Sequence, residues 1–241
     1  DSVGLVVGNP EANVERILLV VDVTFETVDQ AIQEGASLII AHHPLLLRGV
    51  DSVAESNSKG RLLSQLIKND IALFTLHTNA DAAAGGVSDA LAEVAGMTSE
   101  ELDPIESETG IGRVGNLVKP MPASEFLESI SRALPKTESP VRLAGNPQKT
   151  LSRIAVCAGA GDSLLPAIAN LAVDAFVTSD LRHHLTSEFV ADNDCVLIDI
   201  PHWAAEWPWL LWLARLLEQN FGDKVTVKVS QISTDPWRQV I

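Results

Sequence analysis

The chain has 241 residues, 46% of them apolar and 20% charged, which suffices for a sizeable core in one large domain or two small ones. Seventeen basic side chains against thirty-two acidic ones give a net charge of −15, which repels phosphate backbones and anionic lipid and argues against a nucleic-acid or membrane-surface role. Cys157 and Cys195 stand alone inside apolar runs, a usage that fits buried thiols in a reducing, cytoplasmic setting better than a disulfide. The most apolar late stretch, Trp207 to Leu217, is too short to span a bilayer and carries Arg215. A chain that begins at Asp1, without methionine, is expected to continue upstream.

In chain order, the pattern predicts a strand over Ile17–Val21, a helix over Thr27–Glu34, a strand over Leu38–Ala41, a helix over Gly60–Asn69 and a strand over Ile71–Leu76. Glu100 to Gly112 is acidic and marked by Pro and Gly, as expected of a linker into a second domain. Ser124–Leu134 then reads as a helix, with Ser124 as N-cap and Pro135 beyond its end. Strands at Ile154–Ala158, Ala175–Thr178 and Val196–Ile200 alternate with helices at Ser163–Leu171, His184–Asp192 and roughly Trp203–Asn220. Val225, Val227 and Val229 alternate with polar residues, so Lys224–Thr234 reads as a last strand. The earlier strands are continuously apolar, which implies parallel pairing with both faces covered and right-handed βαβ crossovers.

The stretch from Arg16 to Ala41 matches Arg153 to Thr178 without gaps, at an offset of 137 residues. Each copy continues into a helix and a third strand, followed by His77-Thr-Asn-Ala-Asp81 in the first and His202-Trp-Ala-Ala-Glu206 in the second. The expected fold is therefore α/β, with two similar domains related by internal duplication. The first is discontinuous, 1–105 plus 195–241, and the second is 106–194.

All six histidines fall in four places, His42-His43, His77, His183-His184 and His202, and each place directly follows a predicted buried strand. Asp81, Asp180 and Glu206 lie in or beside three of them. Ligands of open α/β sheets bind beyond the carboxyl ends of the strands, so these groups converge although they are scattered in sequence. Imidazole nitrogen with carboxylate oxygen suits Zn, Mn, Fe, Co or Ni. Two such ions ~3.5–4 Å apart can activate a water and clamp attacking and leaving oxygens.

The candidate ligands are His42, His43, Asp81, His202 and Glu206, and the expected place for two divalent ions is between the two domains. Each residue also has a structural alternative. Adjacent residues of an extended strand point to opposite sides, so His42 and His43 either serve different ions or sit where the strand is already turning. Asp81 could cap a helix starting near Ala82. His77 is as good an orienting partner as a ligand. His202 and Glu206 share a face if a helix begins at His202, which Pro208 complicates. Asp180, His183 and His184 are further candidates as ligands; otherwise they are substrate-facing acid–base groups or solvated residues of a helix start.

The tryptophans between Trp203 and Trp212 fit helix packing or a subunit interface better than a stacking platform. Neither Gly-x-Ser-x-Gly nor a lysine-bearing phosphate loop occurs. Gly159-Ala-Gly161-Asp162 reads as a tight strand-to-helix turn.

Four runs in order carry a resemblance: Ala41-His42-His43-Pro44-Leu45, His77-Thr78-Asn79-Ala80-Asp81, Thr178-Ser179-Asp180-Leu181-Arg182-His183-His184 and Asp199-Ile200-Pro201-His202-Trp203-Ala204-Ala205-Glu206. Together they resemble the Nif-three-like family, whose members are often named GTP cyclohydrolase 1 type 2 homologues. Asp1-Ser2-Val3-Gly4-Leu5 and Asp235-Pro236-Trp237 fit the same pattern, so the resemblance covers nearly the whole chain.

The resemblance implies that His42, His43, Asp81, His202 and Glu206 hold two metals, with Glu206 bridging and with Asp180 and His184 nearby. It further implies two similar α/β domains assembled as a ring-shaped homohexamer. Family members usually have glycine at the positions of Pro201 and Ser179 and serine at that of Ala205, departures that affect the loops but not the ligands. The expected activity is hydrolysis of a nucleotide or phosphoester, with GTP ring opening as one form. The alternative is a non-catalytic metal-binding assembly protein.

Overall fold

Strand and helix alternate as the apolar runs require. The structure, a computed structural model, describes residues 2–98 and 102–241. In chain order the elements begin β1 (Gly4–Val7), β2 (Arg16–Val20), α1 (Phe25–Glu34), β3 (Leu38–Ala41), α2 (Ser58–Lys68), β4 (Ala72–Thr75), α3 (Thr78–Ala82) and α4 (Val87–Val94). They continue with β5 (Arg113–Pro122), α5 (Ala123–Ala133), β6 (Arg142–Ala144), β7 (Thr150–Ala160), α6 (Leu165–Ile168), β8 (Ala175–Ser179) and α7 (His183–Asp192). The last are β9 (Val196–Asp199), α8 (His202–Phe221) and β10 (Thr226–Val229). The chain divides into two compact units, Asp1–Ala80 with Leu210–Thr234, and Asp81–Trp209 with Asp235–Ile241.

The first unit holds a sheet of order β1-β4-β3-β2-β10. β10, β2, β3 and β4 run parallel, and β1 lies antiparallel on β4. Leu18 and Val20 of β2, Ile39 and Ala41 of β3 and Leu73 of β4 share one face and pack with Val28 and Ala31 of α1 and Leu62, Leu63 and Leu66 of α2. Leu19 and Ile40, which alternation turns to the opposite face, are buried too, so these strands are covered on both sides. Helix α1 starts where the Thr24 hydroxyl accepts the Thr27 N–H, with Thr27 returning the bond, and it ends on Gly35 in the left-handed region.

The second unit holds a sheet of order β5-β7-β8-β9-β6. β7, β8 and β9 are parallel, with β5 antiparallel on β7 and β6 antiparallel on β9. Ala155 and Cys157 of β7, Phe176 of β8 and Leu197 of β9 pack with Leu165 and Ile168 of α6 and Phe189 of α7. Ile17 pairs with Leu38 and Leu18 with Ile39 in the first unit, and Ile154 pairs with Ala175 and Ala155 with Phe176 in the second, so the register recurs at the offset of 137. It then diverges, because β7 shifts register between Val156 and Ala160.

Several expectations are corrected. The helix expected at Ser163–Leu171 shrinks to a 3₁₀ turn, Asp162–Leu164, and the single turn of α6. Helix α5 starts one residue early, with the extended Pro122 and not Ser124 at its N-cap, so Ser124 is already inside the helix. Glu100 and Glu101, inside the expected linker, lie outside the described residues, as does Asp1 of the opening motif. The rest of that linker belongs to the second unit, where Asp103 and Val114 exchange backbone hydrogen bonds. Among the described residues, no helix is long and apolar enough to cross a membrane.

Arg113 at the start of β5 finds five acceptors for its five N–H groups: both oxygens of Asp89 and the carbonyls of Ala83, Gly110 and Gly112. Breaking a buried pair strands a charge, so Asp89→Ala is expected to destabilise the protein by about 3–5 kcal/mol in denaturant unfolding. Both cysteines are free and buried. Burial, reinforced by the Asp81 and Glu206 charges, pushes the Cys157 thiol up to about 12. Burial raises the Cys195 thiol to about 12 against the opposing charge of Lys149. The thiolate is the reactive form, so neither residue should react with a disulfide reagent at pH 8 in the native protein, and both should react in guanidinium. Rapid labelling of the native protein would contradict this.

Candidate metal centre

Beyond β3, the His42 and His43 backbone N–H groups still donate to the Val20 and Val21 carbonyls, at 3.0 and 2.8 Å. The chain bends at these two residues. The imidazoles therefore lie beside one another, with centroids 5.0 Å apart and planes tilted by 42°. This is the turning-strand alternative of the two that the sequence left open. His77, beyond β4, brings its ring to 5.3 Å from His42 and 5.7 Å from His43. One nitrogen from each of the three rings lies within 4.8 Å of the other two, close enough to hold one ion.

Hydrogen bonds fix which nitrogen each ring offers. His42 Nδ1 lies 2.9 Å from the Leu76 carbonyl oxygen. A carbonyl only accepts, so the proton sits on Nδ1 and the lone pair on Nε2. His43 Nδ1 lies 2.7 Å from Asp22 Oδ1, while the Thr234 hydroxyl donates to the other Asp22 oxygen. The acceptor at Nδ1 again leaves Nε2 as the ligand nitrogen. Asn79, in the first turn of the short helix α3, accepts the His77 backbone N–H at its Oδ1. Asp81 lies inside α3, and the next helix begins only at Val87, so the capping role at Ala82 does not apply.

In the second unit, Asp180 follows β8 in the left-handed region, at φ 58, a conformation Asp tolerates better than most residues. Its Oδ2 lies 2.6 Å from His202 Nδ1. Helix α8 begins at His202 and runs through Pro208, which offers no N–H to the carbonyl four residues back. One helical turn therefore separates His202 from Glu206, and His202 Nε2 stands 3.0 Å from Glu206 Oε1.

Glu206 is only 3% exposed. Burial alone would push the His202 imidazole down, but the Glu206 charge and the bonds to Asp180 and Glu206 outweigh it and raise it to about 11. The pair thus favours positive charge at Nε2, which a proton supplies and a divalent ion would supply in its place. Gly159 of β7, at φ +76, leaves the space: a Cβ there would stand 2.7 Å from Glu206 Oε1 and 3.4 Å from His202 Nε2.

The structure thus gathers His42 and His43 with His77, and His202 and Glu206 with Asp180. His184 lies exposed on the first turn of α7, its ring edge-on to His183 at 5.3 Å. Sequence reasoning missed Asp22, Thr234 and the role of Gly159. The one available signal was that Asp22 follows β2 as the histidines follow β3. The donor set, imidazole Nε2 atoms with buried carboxylate, fits a borderline divalent cation.

Comparison with known proteins agrees in fold and sequence. The family model described as Duf34/NIF3 (NGG1p interacting factor 3) matches residues 1–236. The chain belongs to the Duf34/NIF3 family. Within it, the chain is 46% identical to a GTP cyclohydrolase 1 type 2 homolog of Streptomyces coelicolor, over 98% of this chain and 86% of that protein. A Bacillus cereus protein related to NIF3 has the same fold, with TM-score 0.90 at 21% identity over 100% of this chain and 93% of the other. A Staphylococcus aureus hypothetical protein gives TM-score 0.89 at 28% identity, covering 100% and 92%.

For this Duf34/NIF3 chain, losing the acceptor that orients a ligand should weaken metal binding about 10–100-fold, so Asp22→Asn is expected to do so in a competition titration with a chelating dye. Gly159→Ala should lower metal content while leaving far-UV circular dichroism unchanged. Wild-type metal content in both variants would refute the assignment.

Proposed function

We propose that this chain is a metal-dependent hydrolase of a nucleotide or phosphoester, with His42, His43, Asp81, His202 and Glu206 holding two divalent ions in one dinuclear centre. The observation that carries the reading is the locking of Nδ1 on His42, His43 and His202 by fixed acceptors, which leaves each Nε2 as a donor. When bound, such ions polarise a water and offset charge on attacking and leaving oxygens.

The remaining work falls to this chain's side chains. Asp22 and Asp180 hold the His43 and His202 rings, so Asp180 acts first as a positioning residue. His184, exposed on the first turn of α7, is the group suited to carry a proton to or from the reacting oxygen. The names of the curated relatives put GTP ring opening among the reactions to test. The net charge of −15 is compatible with an anionic substrate because divalent ions invert the local potential.

We also propose that the two units arose by duplication, which the shared register at offset 137 supports. Assembly of copies into a homohexamer is proposed from the family resemblance, with light scattering as its check.

The deciding experiment is a screen of phosphate release and nucleotide turnover on protein reconstituted separately with Zn, Mn and Fe. His43→Ala and Glu206→Ala variants run beside it, with metal content measured for each. Turnover that falls to background in both variants, together with loss of metal, is the expected result. Two bound ions per chain without turnover of any substrate would replace the hydrolase reading with that of a metal-binding assembly protein.

A further inference from the structure

A cavity of about 360 Å³ opens in the second unit between β6, α7 and β9, within the size range of small-ligand sites. Leu143, Leu181, Val190 and Leu197 give it an apolar lining. Arg142 supplies its positive charge, and Thr186 and Ser187 its hydroxyls.

The arginine is fixed from one side. Asp199 Oδ2 accepts from both Nε and Nη2 of Arg142, and Asp199 Oδ1 accepts the Leu181 backbone N–H at 3.1 Å. The Asp199 side chain is only 12% exposed, whereas that of Arg142 is 64% exposed. The carboxylate is thus spent on protein donors and turned inward, and the guanidinium presents its remaining N–H groups outward. Such a pre-oriented fork matches the two oxygens of a carboxylate or phosphate at little further entropic cost. Thr186 Oγ1 donates to the Arg182 carbonyl, so its proton is spent within the helix and the anion's partner is the guanidinium. Ser187 and His183 stand exposed on the same helix and add donors at the rim.

We propose that this cavity binds a small organic anion, an apolar or aromatic body carrying one carboxylate or phosphate, with the anion on Arg142 and the body over Leu181, Val190 and Leu197. Leu181 directly follows Asp180, and Asp199 precedes His202 by three residues, so an occupant lies beside the second unit's metal-binding residues along the chain. Its use as the pocket for a substrate's organic portion rests on the hydrolase reading; the binding itself does not.

The test is therefore made on chelator-stripped protein. Phenyl phosphate and benzoate are titrated by isothermal calorimetry and by saturation-transfer NMR, with phenol as the uncharged counterpart. At least one anion should bind, phenol should bind about tenfold more weakly or worse, and Arg142→Gln should cost about tenfold. Ser187→Trp, at an exposed position that leaves the Arg142–Asp199 pair intact, should block the mouth while metal content stays at the wild-type level. Preference between the two anions names the headgroup. Absence of binding by either anion, or equal binding to wild type and Ser187→Trp, would overturn the proposal. Failure of the stripped protein to take up added Zn, Mn or Fe would count against the hydrolase reading alone.

Discussion

Everything at the candidate centre depends on acceptors placed against Nδ1 of the histidines. An imidazole has two nitrogens, and a free ring can offer either; a ring whose Nδ1 is tied to an acceptor offers only Nε2, in one direction. In the first unit those acceptors come from the neighbours of the strand that carries the histidines. β3 ends in His42 and His43 and lies between β4 and β2. β4 leads to the Leu76 carbonyl, and β2 leads to Asp22. Parallel pairing puts three carboxyl ends side by side, and so makes it possible for ligand and acceptor to meet without a dedicated loop. The second unit repeats the principle with other residues. β8 leads to Asp180 and β9 to His202, while β7 contributes Gly159, whose missing side chain leaves room for Glu206.

That dependence explains what the sequence could and could not reveal. Parallel strands covered on both faces leave an unbroken apolar run, and Leu38–Ala41 is read from sequence with the bounds the structure gives it. The antiparallel strands β1, β5 and β6 escape such a reading, because they lie beside that core and keep less of its pattern. Leu5 of β1 is exposed, Val118 of β5 is 72% exposed, and β6 has only three residues. The short α6 is overextended in a sequence reading because its apolar residues imitate a helical stripe. The chain there closes instead through a 3₁₀ turn before Pro166.

The centre divides along the same line. Residue type and position at a strand end mark the candidate donors, since histidine is scarce and a buried strand is easy to see. Orientation is not visible, because it rests on pairs far apart in sequence. Thr234 reaches Asp22 across 212 residues, and the left-handed backbone of Asp180 has no signature in the sequence around it. The cradle at Gly159 reads as an ordinary turn, because the space it preserves is defined by a helix more than forty residues later. Even His42 and His43 are resolved only by the bend that ends their strand.

Charge ties these observations together. A carboxylate as buried as Glu206 would cost several kcal/mol if it stood alone. The chain offsets that cost with a histidine four residues away on the same helix, and then fixes the histidine with a second carboxylate from another strand. The result is a fixed frame of negative charge and directed nitrogen, held in shape by hydrogen bonds that need no metal. The Arg142–Asp199 pair in the same unit inverts the arrangement. There the carboxylate is the inner partner and the cation faces outward. One strand end thus supports two complementary surfaces: Asp199 closes β9 and turns Arg142 toward the cavity, and three residues on His202 opens the helix that carries the cation-holding pair. Both arrangements are set by the carboxyl end of β9, one with its charge turned inward and the other with its charge turned out.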